Sequence, residues 1–198
     1  MLNIKSLTRA AMGLAAAASL VIMTGCAHPI SMSPKAASDL SSQVPSKIDK
    51  NVAYVISAAD LAKEVETPGG GGDKVKYSPY RDLDASLYQA FSAVFKDVTK
   101  VATPAEAKDV SFVITPTITT TSSSDSAFTW PPTQFSVELL CKVVDAKGQA
   151  VTEVRANGSG AATFDEFKSD FSLSARRASA DAVNKLVKAL ANAPELRR

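Results

Sequence analysis

The chain has 198 residues, 45% of them hydrophobic, and a formal net charge of +2. That excess is Lys5 and Arg9 in the leader. The remainder is neutral and has no dense basic run, which argues against nucleic acid as a partner, because such binding needs a basic face. The single histidine, His28, cannot form a histidine metal cluster and is badly placed for a catalytic triad. Neither a metal nor a cofactor is expected.

The first stretch reads as a leader. MLNIKSLTR is charged, AAMGLAAAASLVIM is apolar, and small residues precede Cys26. These are the n-region, h-region and cleavage zone of a signal peptide. The apolar run is short of the about 20 residues that span a bilayer. Met23-Thr24-Gly25-Cys26 resembles a bacterial lipobox, with Met23 where leucine is common. The resemblance implies cleavage before Cys26, diacylglycerol on its sulfur and an acyl chain on the new amino group. Several chains at about 0.8 kcal/mol per buried CH₂ hold a protein to a membrane essentially permanently. By the same resemblance to Gram-negative lipoproteins, Ala27, where aspartate would retain the protein in the inner membrane, implies sorting to the outer membrane, with the domain facing the periplasm. With Cys26 consumed by lipid, Cys141 is alone, and a lone thiol in an oxidising compartment belongs in the core.

The expected organisation is a signal peptide over 1–25, a lipidated tether over 26–48 rich in Ser, Ala and Pro, and a single domain over 49–198. NVAYVIS (51–57) reads as a buried strand. In KEVETPGGGGDKVKY, folding about Gly70 sets Val65 against Val75, Glu64 against Lys76 and Glu66 against Lys74. The stretch therefore predicts a small hairpin with its tip over Pro68–Gly72. A phosphate-binding loop needs a G-K-[ST] ending between a strand and a helix; here Asp73 intervenes and Val75 follows the lysine. From Ser78, with Pro79 at the first turn, Leu83, Leu87, Phe91, Val94, Phe95 and Val98 form one apolar stripe of a helix. Asp82 and Asp84 suit the positive end of its dipole.

Strands follow. VTKVAT reads as a short one. DVSFVITPTITTT places Val110, Phe112, Ile114 and Ile118 on one face, with Pro116 marking an edge or bulge. TQFSVELLCKVVD alternates Phe135, Val137, Leu139, Cys141 and Val143 inward, and VTEVRANGSGAATF turns small residues, including Gly158 and Gly160, toward a close-packed helix. The last helix runs from about Leu173 to Ala193, with Ala175, Ala178, Ala182, Val183, Leu186 and Leu190 on one face, and Pro194 stops it. The sum is an α+β fold, a mostly antiparallel sheet with two helices on one face. This plan resembles small outer-membrane lipoprotein domains of the YajG type in lipobox, length and element order.

Chemistry-bearing candidates are few. Asp165 and Glu166 are adjacent acids, and sequence neighbours in a strand or loop point apart. The segment TTTSSSDSAFTWPPTQF joins two long strands. Its Phe128, Trp130, Pro131 and Pro132 are candidates for partner binding, since aromatics on a stiff loop serve as recognition anchors; the alternative is that Trp130 caps the core. The function these features indicate is a lipid-anchored periplasmic binding or accessory protein of the envelope, non-enzymatic, touching the membrane through its lipid and an envelope protein or glycan through its loop. The alternative is an envelope hydrolase acting on cell wall or glycolipid.

Overall fold

The computed structural model of the protein describes residues 27–34, 39–67, 74–124 and 133–198. In chain order the strands are β1 (His28–Pro29), β2 (Ile48–Val55), β3 (Val65–Glu66), β4 (Val75–Tyr77), β5 (Phe95–Val101), β6 (Phe112–Ser123), β7 (Gln134–Asp145) and β8 (Ala150–Ala161). The helices are α1 (Ala58–Ala62), α2 (Pro79–Val94), α3 (Phe164–Ser169) and α4 (Leu173–Ala191). The main sheet has the order β5-β2-β6-β7-β8, and a small one has the order β1-β4-β3.

The fold is α+β as expected, but the sheet is mixed. β2 pairs in parallel with both β5 and β6, and only β6-β7 and β7-β8 are antiparallel. The cause is the connections. Helix α2 returns the chain between β2 and β5, so the two strands run the same way, as such a crossover requires. The chain then passes β2 and enters β6 on its other side. Ala107 and Val110 in that connection pack beneath the sheet on Ala53, Val55, Val101 and Val113. Val110 therefore leaves the face shared by Phe112 and Ile114. Residues Val52 to Ile56 are all buried, the pattern of a strand covered on both faces.

The three long strands keep their predicted alternation. Phe135, Val137, Leu139, Cys141 and Val143 are buried in one row. Pro116 sits beyond the last β2 partner of β6, Ile114, where no neighbouring strand requires its missing N–H. Two residues on, the Ile118 N–H donates to the Tyr80 hydroxyl at 3.2 Å.

Helices α2 and α4 cover one face. The stripe of α2 buries Leu83, Leu87, Phe91 and Val94, and that of α4 buries Ala175, Ala178, Ala182, Val183, Leu186 and Leu190; Phe95 and Val98, expected on the stripe of α2, belong instead to β5, because the helix ends at Val94. The alanines let α4 lie against β8. A Cβ on Gly158 would stand 2.2 Å from both the Ala178 carbonyl oxygen and the Ala182 nitrogen. One on Gly160 would stand 2.2 Å from the Ser174 carbonyl oxygen.

The hairpin forms with a different register. Val65 pairs with Tyr77 and Glu66 with Lys76, two residues beyond the fold about Gly70. A shift of two preserves the faces, because the side-chain period is two. Val75 and Tyr77 are buried in this register, and Thr67 closes it, its N–H donating to the Val75 carbonyl at 3.0 Å. The expected charge pairs survive diagonally: Lys74–Glu66 at 2.8 Å and Lys76–Glu64 at 2.7 Å. The glycine run lies outside the described residues.

The stretch expected to be a tether is packed on the domain over its described residues. β1 pairs with β4. Met32 is 0% exposed and Leu40 is buried. The Met32 N–H donates to Asp82 Oδ2 at 2.8 Å, and Gln43 Nε2 donates to Asn184 Oδ1 at 2.7 Å. The segment is a strap laid along α2 and α4 from the first turn of α2 toward its end. Asp82 thus serves the strap as well as the helix dipole.

Two substitutions measure these packings. Gly158→Ala must push α4 off the sheet, and overpacking of this kind costs about 1–3 kcal/mol or more; urea unfolding should show a loss of at least that size. Met32→Ala should cost about 2–5 kcal/mol, the range for a buried Met. A change under about 0.5 kcal/mol, ordinary for surface sites, would mean that the strap contributes nothing to the fold.

Candidate functional site

Several connections gather at one end of the molecule. β6 ends at Ser123, which pairs with Gln134, and Gln134 pairs with Ala161. The Ala162 N–H donates to the Thr133 carbonyl at 2.8 Å. The hairpin points to the same end. Going back along the chain from α2, Tyr80 meets Ile118, and the Tyr77 hydroxyl meets Thr120 Oγ1 at 2.8 Å. β4 thus starts at the Ser123 end and runs away from it toward α2. β1 is parallel to β4, with His28 opposite Val75, so the chain enters the fold here as well.

Helix α3 completes this end. Thr163 caps it, its hydroxyl accepting from the Glu166 N–H while Glu166 Oε2 accepts from the Thr163 N–H, a reciprocal capping box. Glu166 also pairs with Arg177 at 2.9 Å. Hydrogen bonding from Arg177, with that from the Thr163 backbone, holds the Glu166 carboxyl down to about 2. Glu166 is engaged in this cap, and Asp165 stands beside it in the first turn of α3. Phe167 is buried and meets Phe171 edge-on at 5.0 Å, and Phe171 stacks on His28 at 5.0 Å. Phe164, in contrast, is 56% exposed, with the Lys168 ammonium 5.1 Å from its ring centre.

A hollow of about 400 Å³ opens beside this end, lined by Thr121, Ser123, Gln134, Ser136 and Ser159 together with Phe135, Gly160 and Ala161. Its hydroxyls and amide can hydrogen-bond a polar ligand, and none of its lining side chains is an acid or base. A second hollow of about 350 Å³ lies under the strap, between Pro34 and Leu40 on one side and Asp82, Gln89, Val183 and Asn184 of the two helices on the other. Burial pushes the Asp82 carboxyl up, opposed by its hydrogen bond from Met32 and by the charge of Arg81.

A third group lies under α2. The Tyr54 hydroxyl donates to Asp84 Oδ1 at 3.0 Å, and Lys100 pairs with the other oxygen of Asp84. Burial, and then the Asp84 bond, push the Tyr54 hydroxyl well above its ordinary value. Asp84 is therefore tied to the sheet beneath its helix.

Cys26, Phe128, Trp130, Pro131 and Pro132 lie outside the described residues. Of the loop candidates, the structure locates the flanks: Ser124 and the buried Thr133 bring the chain out and back at the end just described. The exposed Phe164 and helix α3 were missed in the sequence. Their signal was present, as Thr163 followed by Glu166 three residues on and aromatics at 164, 167 and 171. Among the described residues, no group of three or more His, Cys, Asp or Glu could hold a metal ion.

No family model matches the chain, and neither does any curated protein. Among solved structures, it is similar to the protein XCC0632 of Xanthomonas campestris, of family model DUF330. The identity is 11% and the TM-score 0.48, over 84% of this chain and 92% of that one.

Cys141 offers a test of the inner row. It is 0% exposed, and burial pushes its thiol up to about 12. Because the thiolate is the nucleophile, the native protein should resist a thiol reagent at neutral pH over hours and react within minutes once unfolded in guanidinium.

Proposed function

We propose that the protein is a lipid-anchored periplasmic binding or accessory protein of the cell envelope, held to the outer membrane through Cys26 and without an enzymatic activity of its own. The lipobox-like Met23-Thr24-Gly25-Cys26 supports the anchor. The observation that carries the reading further is the position of β1. His28 is locked to the sheet by its N–H donating to the Lys74 carbonyl at 2.7 Å. Cys26 is only two residues earlier, and a residue spans at most about 3.6 Å. An acyl group on Cys26 would therefore hold the domain close against the membrane in a defined orientation, rather than on a long leash. A domain held in this way acts on what lies at the bilayer surface or reaches it, which suits a binding or accessory role.

The experiment is Cys26→Ser in cells. The variant should accumulate as an uncleaved precursor, incorporate no labelled fatty acid and leave the outer-membrane fraction. Cleavage and fractionation identical to the unaltered protein would overturn the reading.

A further inference from the structure

The lipid-anchored reading leaves open which surface of the domain meets the bilayer, and the structure narrows it. Four features converge on one end. The chain enters there, at His28 and Pro29. The Lys74 carbonyl that receives the His28 N–H lies there, and the Lys74 side chain pairs with Glu66. The His28 ring stacks on Phe171, which in turn meets Phe167 of α3, and the Ser31 N–H donates to the Ser172 hydroxyl at 3.1 Å. The entry point is thus bonded to the turn between α3 and α4. On that same short helix stands Phe164, the most exposed large hydrophobic residue described, with Lys168 over its ring.

We propose that this end of the domain rests on the bilayer that anchors Cys26, with the Phe164 ring in the headgroup interface and the Lys168 ammonium at the lipid phosphates. The inference rests on the lipid-anchored reading. An aromatic ring is favoured at the membrane–water boundary. A lysine can lay its stem on apolar surface while its ammonium stays with the headgroups, and anionic lipid attracts such a charge within a Debye length. In solution Lys168 covers the Phe164 ring. At a bilayer both groups would exchange that contact for lipid, the ring burying apolar area that the fold leaves in water. The occupant is set by chain length, since the two-residue connection from Cys26 to His28 keeps this end within reach of the membrane and turns the opposite end, with the Asp145–Gln149 turn, away from it.

The test uses the full lipidated protein in vesicles of phosphatidylethanolamine with phosphatidylglycerol. A polarity-sensitive fluorophore is attached through a single thiol, which is practicable because Cys26 would carry lipid and Cys141 is buried. Three variants are compared: F164C, Y88C at the other exposed aromatic among the described residues, 47% exposed on α2, and K147C at the opposite end. Should F164C fail to fold, K168C carries the probe on the same helix. The expected result is a blue-shifted emission at position 164 (or 168), quenched by lipids brominated at shallow acyl positions, with water-like, unquenched emission at 88 and 147. Water-like emission at 164 or 168 in protein that is acylated and vesicle-bound would overturn the inference while leaving the anchor intact. Equal quenching at all three positions would also overturn it. A mass spectrum showing no acyl group on Cys26 would remove both the anchor and the inference built on it.

Discussion

The closeness of α4 to β8 is the constraint on which the arrangement of this protein turns. At Gly158 and Gly160 the helix backbone occupies the space of a side chain, and the facing positions on the helix are small: Ser174, Ala178 and Ala182. Neither partner could be enlarged alone. The approach also brings polar side chains of α4 over the outer edge of β8. Asp181 accepts from the Ser159 N–H at 3.0 Å, Lys185 donates to the Asn157 carbonyl at 3.0 Å, and Arg177 donates to the Ala161 carbonyl at 2.7 Å. A long edge strand with free backbone groups invites pairing with other chains. Here the helix that covers the face also engages backbone groups of that edge at Asn157, Ser159 and Ala161.

The same helix fixes the end at which β1 joins the sheet. Its first turn follows Phe171, which receives the His28 ring, and its Arg177 holds the Glu166 cap of α3. The strap then runs along α4 and α2, bonded at Asn184 and at Asp82. A surface tether would carry no information about orientation. A strap with Met32 and Leu40 in the core does, because the direction in which the chain leaves the fold becomes a property of the fold. Under the proposed anchor, that direction sets the orientation of the domain, including the polar hollow beside Ser136 and Ser159.

Much of this was legible from residue order. The inward row of β7 follows from strict alternation, and Cys141 falls in that row whatever the neighbours of the strand are. The stripes of α2 and α4 follow from spacing of three and four, and the small residues of β8 announced a helix lying close. The Glu–Lys pairs of the hairpin appeared with the right partners although the register moved by two, because diagonal neighbours on a pleated pair remain within reach of long side chains.

What residue order alone determined is the set of elements and the face that each one buries, since both are periodicities within a few turns of chain. The leader-like stretch and the lipobox-like Met23–Cys26, on which the proposed anchor rests, are likewise local patterns. What only the tertiary structure decided is which elements meet and in what direction: the parallel placement of β5 and β6 about β2, the hairpin register chosen by burying Val75 and Tyr77, the docking of Met32 against α2, and the convergence of His28 with Phe171 and α3. A strand with apolar residues on both faces is compatible with either direction of pairing. A Ser/Pro-rich segment with one methionine and one leucine looks solvated until a groove exists to receive it. Such choices are made by contacts between residues far apart in the chain, whose closure must be offset by shared burial, and no window of sequence contains both partners.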